Sequence, residues 1–467
     1  MGHVTRIVII GGGPGGYEAA LVAARLGAQV TVVDRDGIGG AAVLTDCVPS
    51  KTLIATSDLM TALQDAPALG VDSGTVTAVD LARINERVLA LAAKQSEDIS
   101  EDLVKAGVEI VRGFGKLAPA DGAATTAVEV AVPNGEDLLL EADAVLLATG
   151  ARPREMASAQ PDGERILTWT QLYRLTELPA ELIVVGSGVT GAEFAGAYQA
   201  LGSQVTLVSS RDRVLPGEDQ DAAQVLEEVF QRRGMRVLGR SRAASAVREG
   251  DRVVVTLEDG RSVTGTHVLM AVGSLPNTEG LGLPEAGVQT TPSGHILVDR
   301  VSRTTASNVY AAGDCTGLLA LASVAAMQGR IAVYHALGEA VWPINLKRVS
   351  ANIFTSPEIA TVGRTTFNAE SEDPRFDVVK LPLATNPRAK MIGFTDGFVK
   401  LYARPGSGTV LGGVVVAPRA SELIHSLSMA VDLHLTVDQV ASVFTVYPSL
   451  SGSIAEAARR LHSDHED

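Results

Sequence analysis

The sequence predicts an α/β fold, and three observations carry that reading. A strand, a glycine-rich turn, a helix and a second strand occur in that order twice, around Gly11–Gly16 and again around Gly186–Gly191. The strands read as continuous apolar runs, the pattern of a parallel sheet covered on both faces. After Pro343 the texture changes to alternating strands and two terminal helices without another glycine turn. Two Rossmann-like dinucleotide-binding domains followed by a C-terminal α+β domain account for these textures, and 467 residues exceed what one core covers.

Each element follows from its residues. Val4–Ile10 reads as a buried strand, Tyr17–Leu26 as a helix and Gln29–Asp34 as the second strand. From Leu53 to Ala106 the pattern is helical, with Val88, Leu91 and Ala92 at helix spacing, and Val108–Val111 returns to strand. Ala118–Asp137 has the polar texture of a meander or hairpin, Ala144–Gly150 is a buried strand, and Pro153–Gly163 has linker composition. Leu182–Val208 repeats the opening, Val309–Asp314 is another strand, and Leu318–Gly338 reads as one long amphipathic helix. The expected division is 1–150 with 275–342, then 151–274, then 343–467.

Composition removes several function classes. A formal net charge of −15 argues against nucleic acid as a default partner, since neutralising phosphates needs a basic face. The two cysteines, Cys47 and Cys315, stand far apart with no CxxC, so neither a disulfide framework nor a cysteine zinc site is expected; a reducing compartment, the cytoplasm, is. The eight histidines show no metal-ligand spacing and read as structural. The chain opens directly into a strand, so no leader is expected. Apolar runs such as Ala144–Ala148 fall short of the roughly 20 residues a spanning helix needs, which limits membrane contact to the periphery.

The chemistry lies in the turns. Gly11, Gly13 and Gly16 supply a tight turn, close approach to a pyrophosphate and close helix packing, with the pyrophosphate on the helix N-terminus. Asp34, 23 residues beyond Gly11, is placed for the ribose hydroxyls of an adenosine. In the second unit Gly186, Gly188 and Gly191 repeat the turn, but Ser209 stands at the offset of that carboxylate, followed by Ser210, Arg211 and Arg213. Hydroxyls and guanidinium groups accept a 2′-phosphate that a carboxylate would repel, so NADPH is expected to be accepted. With Gly313-Asp314, the two units imply two dinucleotides, FAD and NAD(P)H. Asp314 would contact the ribityl chain, and the helix around Ser323 would aim its positive end at the N1/O2 side of the reduced flavin.

Gly11–Gly16, Gly39-Gly40 through Lys51, Ala148-Thr149-Gly150, Gly186 through Glu193, Ala312-Gly313-Asp314 and Tyr447-Pro448-Ser449 occur in the order of a known family. Over essentially its whole length the chain resembles the flavoprotein pyridine-nucleotide disulfide reductases, dihydrolipoamide dehydrogenase among them. Within them it is most similar to the mycobacterial-type NAD(P)H quinone reductase branch, which lacks the redox-active disulfide. The resemblance implies that Gly40, Lys51, Thr149 and Gly150 belong to the flavin site, that Lys51 pairs with Glu193 beside the flavin, and that Cys47 sits under it. It also implies a homodimer formed through the C-terminal domain, with Tyr447 reaching the partner's flavin.

The departures from the family fix the expected reaction. Where the family has Cys-x-x-x-x-Cys, this sequence has Ala42 and Cys47, so flavin electrons have no internal disulfide to enter. Where the family places an acid/base histidine and its orienting glutamate, this chain has Tyr447 and Gly452. The resemblance then implies hydride transfer from NAD(P)H to flavin and onward to a quinone-type acceptor, with Lys51, Glu193, Cys47 and Tyr447 as catalytic candidates. Two alternatives stay open: a soluble pyridine nucleotide transhydrogenase, and a residual disulfide reductase using Cys47. Cys47 and Tyr447 each read as chemical participants or as packing residues.

Overall fold

A computed structural model describes residues 4–72, 74, 79–119, 126–363 and 376–463. The chain forms two compact units: Met1–Thr52, Glu86–Arg154 and Gly273–Asn345 make the first, and Leu53–Asn85, Glu155–Val272 and Leu346–Asp467 the second.

The first unit is organised by a five-stranded parallel sheet in the order Val309–Ala311, Ala144–Leu147, Arg6–Ile10, Gln29–Asp34, Glu109–Arg112. Ile7 to Ile10 are buried without alternation because both faces are covered. On one face the helices Pro14–Arg25 and Ala322–Ala336 pack so closely that a Cβ on Gly329 would stand 2.0 Å from the Gly15 carbonyl oxygen. On the other lies an antiparallel three-stranded sheet of Phe114–Leu117, Thr126–Ala131 and Leu138–Ala142, the expected meander; its residues 120–125 lie outside the described set.

The second unit holds two larger sheets. One is parallel, ordered Arg236–Leu238, Gln204–Val208, Glu181–Val185, His267–Met270, Ile166–Leu167. The other is antiparallel, ordered Ser350–Ile353, Glu358–Gly363, Val410–Ala417, Phe398–Ala403, Asp377–Pro382. Ile424, Leu427 and Ala430 of the helix Ala420–Asp432, with Ile454 and Ala458 of Gly452–Ser463, close the core on this second sheet.

Four features differ from the sequence expectations. The helical stretch is broken into Cys47–Asp65 and Leu81–Lys105, and begins at Cys47 rather than Leu53 because Pro49 falls in the first turn, where an N–H has no intrahelical partner anyway. The helix expected from Leu318 starts at Ala322. Three helices follow the last strand instead of two, since Val437–Ser442 forms a short helix behind a Thr436 capping box. A three-stranded meander, Ala243–Glu249, Arg252–Leu257 and Ser262–Gly265, stands where the sequence pattern predicts no element.

Candidate functional site

Gly11 ends its strand with φ +108°, and a Cβ there would meet the Ala148 carbonyl oxygen at 2.2 Å. Gly16, on the helix one turn on, would meet the Gly11 carbonyl oxygen at 1.9 Å. These contacts draw the helix N-terminus against the strand end, and Gly13, Pro14 and Gly15 of the turn line the cleft beyond it. That cleft has a volume of about 510 Å³ and brings together Gly11, Gly13, Asp34, Gly40, Cys47, Thr149, Gly150, Gly313 and Asp314, which the sequence scatters over three hundred positions. Gly16 does not line the cleft but packs against Gly11, which does.

Asp34 is held in place by three backbone amides: Gly12 donates to Oδ2 at 2.6 Å, and Asp36 and Gly37 donate to Oδ1 at 2.8 and 2.6 Å. Beside it opens a lobe of about 330 Å³ walled by Phe114 and Arg35, whose guanidinium lies 5.9 Å from the ring centroid. Burial is the main cause that raises the Asp314 carboxyl above its ordinary range, partly offset by His295.

Two supporting residues were not read from the sequence. Gln328, buried in its helix, accepts the Gly313 N–H at 2.9 Å and fixes the turn before Asp314. Asn277 receives the Thr149 hydroxyl at 2.7 Å on its carbonyl oxygen and donates from its side-chain amide to the Thr149 carbonyl oxygen at 3.0 Å. Only a helical position facing inward could have marked Gln328, and nothing local marks Asn277.

Cys47 and Lys51 are one turn apart on the helix Cys47–Asp65 and therefore share a face. Both are partly buried, and the Lys51 ammonium donates to Ser50 Oγ at 3.3 Å. Ala42 lines the same cleft as Cys47. Cys315 is fully buried against the Leu147 and Ala312 carbonyl oxygens, and burial pushes its thiol up to about 11. Neither sulfur is in a disulfide.

The second unit repeats the turn geometry. Gly186 has φ +111°, and a Cβ on Gly191 would stand 1.8 Å from the Gly186 carbonyl oxygen. Gly188 caps the helix Val189–Leu201 in an extended conformation. Arg211 is exposed, whereas Ser209 is 0 % exposed. Its hydroxyl is turned inward, 2.7 Å from Ser187 Oγ, and also bonds to the Arg211 and Arg213 carbonyl oxygens. In this structure the Ser209 hydroxyl, expected to meet a phosphate, is taken up by bonds within the loop. Glu193 is buried on the helix and accepts the Phe354 N–H at 2.9 Å.

Tyr447 stands 82 % exposed between Val446 and Pro448, beside a hollow of about 340 Å³ that also takes in Ser449, Gly452 and Arg460. Among the described residues, no group of three or more His, Cys, Asp or Glu side chains is arranged to hold a metal ion.

Two glycine turns of one design, each on a parallel sheet, match the family model for pyridine nucleotide-disulphide oxidoreductases over residues 5–329. The chain belongs to the pyridine nucleotide-disulphide oxidoreductase family. Residues 349–458 match that family's dimerisation domain. The family uses FAD and NAD(P)H, and the cradles that a Cβ would fill at Gly16 and Gly191 fit two dinucleotides.

Among pyridine nucleotide-disulphide oxidoreductases, the chain is 57% identical to the NAD(P)H dehydrogenase (quinone) of Mycobacterium tuberculosis, over 99% of this chain and 95% of the relative. It is 32% identical to the dihydrolipoyl dehydrogenase of Geobacillus stearothermophilus, over 97% and 95%. The crystal structure of LpdA from Mycobacterium tuberculosis superposes with a TM-score of 0.94 at 57% identity, covering 98% of this chain and 100% of that one. The flavoprotein disulfide reductase RclA from Escherichia coli shares the fold, with a TM-score of 0.85 at 24% identity over 97% and 99% of the two chains. No helix among the described residues is long and apolar enough to cross a membrane.

Proposed function

We propose that this flavoprotein oxidises NAD(P)H and reduces a quinone-type acceptor without a protein disulfide as relay. The observation that carries the reading is Ala42 in the cleft beside Cys47, with the second sulfur, Cys315, sealed in the core. A thiol relay needs two sulfurs that exchange a bond, and the sequence's other cysteine, Cys315, is fully buried. The 57% identity to a relative named for quinone supports the acceptor class.

We assign residues 1–150 with 275–342 to FAD, 151–274 to NAD(P)H and 343–467 to dimerisation. FAD, when bound, supplies a two-electron carrier between nicotinamide and acceptor. Gly11, Gly13, Gly16 and Gly40 shape the pyrophosphate floor, Asp34 takes the ribose hydroxyls, and Thr149, Gly150, Gly313 and Asp314 line the cleft further along. Lys51 holds positive charge on the face it shares with Cys47, and Glu193 holds a buried carboxylate on the second turn's helix. Gly186, Gly188 and Gly191 seat the NAD(P)H pyrophosphate, Arg211 meets the 2′-phosphate, and Ser209 fixes the loop that carries it. We assign the Tyr447 hydroxyl to donate a hydrogen bond or proton to an acceptor oxygen.

The dimerisation-domain match and the exposed apolar run Phe444, Val446 and Tyr447 support a homodimer formed through this segment. Two cysteines outside any disulfide fit the cytoplasm.

The test compares three acceptors with purified FAD-loaded protein and NADPH: a menadione-like quinone, lipoamide, and a thionicotinamide analogue of NAD. Quinone reduction well above that of free FAD, with neither other acceptor approaching it, is expected. Absence of quinone turnover above free FAD would sink the reading; faster turnover of the nucleotide analogue would make the protein a transhydrogenase.

A further inference from the structure

The loop 210–219 joins Ser209 to the helix Gln220–Arg232 and presents Ser210 and Arg211 outward. Asp212, also exposed, sits between Arg211 and Arg213, so net charge alone gives the loop little pull on a phosphate. The placement of the guanidinium groups has to supply it. The inner side of the loop is pinned: Ser209 Oγ bonds two of its carbonyl oxygens, Leu215 N–H donates to Ser187 at 2.8 Å, and Val214 N–H donates to Glu227 Oε2 at 3.1 Å. Leu215, 1% exposed, is held at φ +49°, a conformation that side-chain-bearing residues keep only where their surroundings impose it.

The loop ends on a fully buried carboxylate. Asp219 caps the helix by accepting the Ala222 N–H at 3.1 Å, receives Lys400 Nζ at 2.9 and 2.7 Å on its two oxygens, and receives the Tyr402 hydroxyl at 3.1 Å. Lys400 lies in the antiparallel sheet strand Phe398–Ala403 and is 4% exposed. It also pairs with Asp221 at 2.5 Å, which in turn pairs with Lys380 at 3.1 Å, and the Phe398 ring lies under both ammonium groups. Such a cluster is a weak source of net stability, because desolvation offsets the attraction. What it does supply is position, since the donors converge on Asp219 at one place only.

We propose that Asp219 and Lys400 are positioning residues for nucleotide choice: the clamp from the C-terminal sheet sets the loop so that Arg211 and Arg213 meet the 2′-phosphate of NADPH. The proposal rests on reading the second glycine turn as the NAD(P)H site. Lys400 touches no nucleotide; it acts through Asp219 and the loop.

The test measures binding of 2′,5′-ADP and 5′-AMP to the FAD-loaded protein by calorimetry, for wild type, Arg211→Ala, Lys400→Met/Asp219→Asn and Tyr402→Phe. The double variant removes both charges together, so neither is left buried alone. Its preference for 2′,5′-ADP is expected to fall about tenfold, with 5′-AMP affinity within about twofold of wild type. Tyr402→Phe, which deletes a single hydroxyl, should lower the preference by about two- to threefold. In steady state the KM for NADPH should rise while the KM for NADH and both kcat values hold, and loop amides should exchange hydrogen faster. Should the double variant fail to fold, Tyr402→Phe decides alone. An unchanged preference in the folded variants, with Arg211→Ala losing it, overturns the clamp. An Arg211→Ala protein that keeps the wild-type preference overturns the reading of the site itself, and the clamp with it.

Discussion

Gly16 sits so close beneath Gly11 that a methyl group on it would lie 1.9 Å from the Gly11 carbonyl oxygen. No side-chain rotation relieves such a contact, since the obstacle is backbone; the helix must move away from the strand, and its N–H groups with it. Gly16→Ala is therefore expected to lower flavin occupancy of the purified protein by about tenfold or more, equivalent to ~1.4 kcal/mol of binding. Flavin absorbance per mole of protein checks it, and a fully loaded variant would contradict the packing argument.

Ala42 and Cys47 line one cleft, so restoring the missing sulfur is a direct test of the absent relay. Ala42→Cys should form a disulfide with Cys47 that NADPH reduces, leaving one thiol in the denatured, oxidised protein, that of Cys315. Lipoamide turnover should appear only when Tyr447→His and Gly452→Glu are added, because exchange also needs an acid/base pair. Three titratable thiols in oxidised Ala42→Cys would show that the two positions do not meet.

Cys315, buried with its thiol pushed up to about 11, is almost wholly protonated at pH 8, whereas Cys47 is partly exposed. Iodoacetamide should label one cysteine per native chain and both after denaturation. Mass spectrometry of tryptic peptides identifies the site. Labelling of native Cys315 would mean that the core around the Asp314 turn opens.

His267 sets a pH dependence. Burial, reinforced by Arg165, lowers its pKa to about 4, against about 6.5 in the unfolded chain. Between those values the unfolded state binds the extra proton, so stability falls as pH drops from about 6.5 to about 4. With solvent screening at this half-buried site, the contribution is on the order of 1 kcal/mol. His267→Gln should narrow the gap between melting temperatures at neutral and acid pH; an unchanged gap would assign the acid sensitivity to other groups.

The two glycine turns, Asp34 and the Asp314 turn were legible in the sequence because their geometry is local: a few residues in fixed order suffice to shape a turn and place a carboxylate at a strand end. The helix break after Asp65 and the meander over 243–265 were harder: residues 66–72 are mostly exposed, and in the meander the buried Val253, Val255 and Leu257 alternate with Val254, an apolar neighbour that blurs the period of two.

Ser209 shows where local reading stops. Its offset from Gly186 is that of Asp34 from Gly11, yet the side chain is turned inward, because burial at a strand end depends on what packs over it. Gln328, Asn277 and Lys400 act on residues far from them in the chain: 15, 128 and 181 positions separate them from Gly313, Thr149 and Asp219. Residue identity at fixed spacing is enough to specify the two nucleotide-binding turns and the loss of the thiol relay. Which polar side chains face a ligand and which hold the loops that do was decided only by tertiary structure, because a hydrogen bond between distant segments exists only once the sheets have brought them within 3 Å or so of each other.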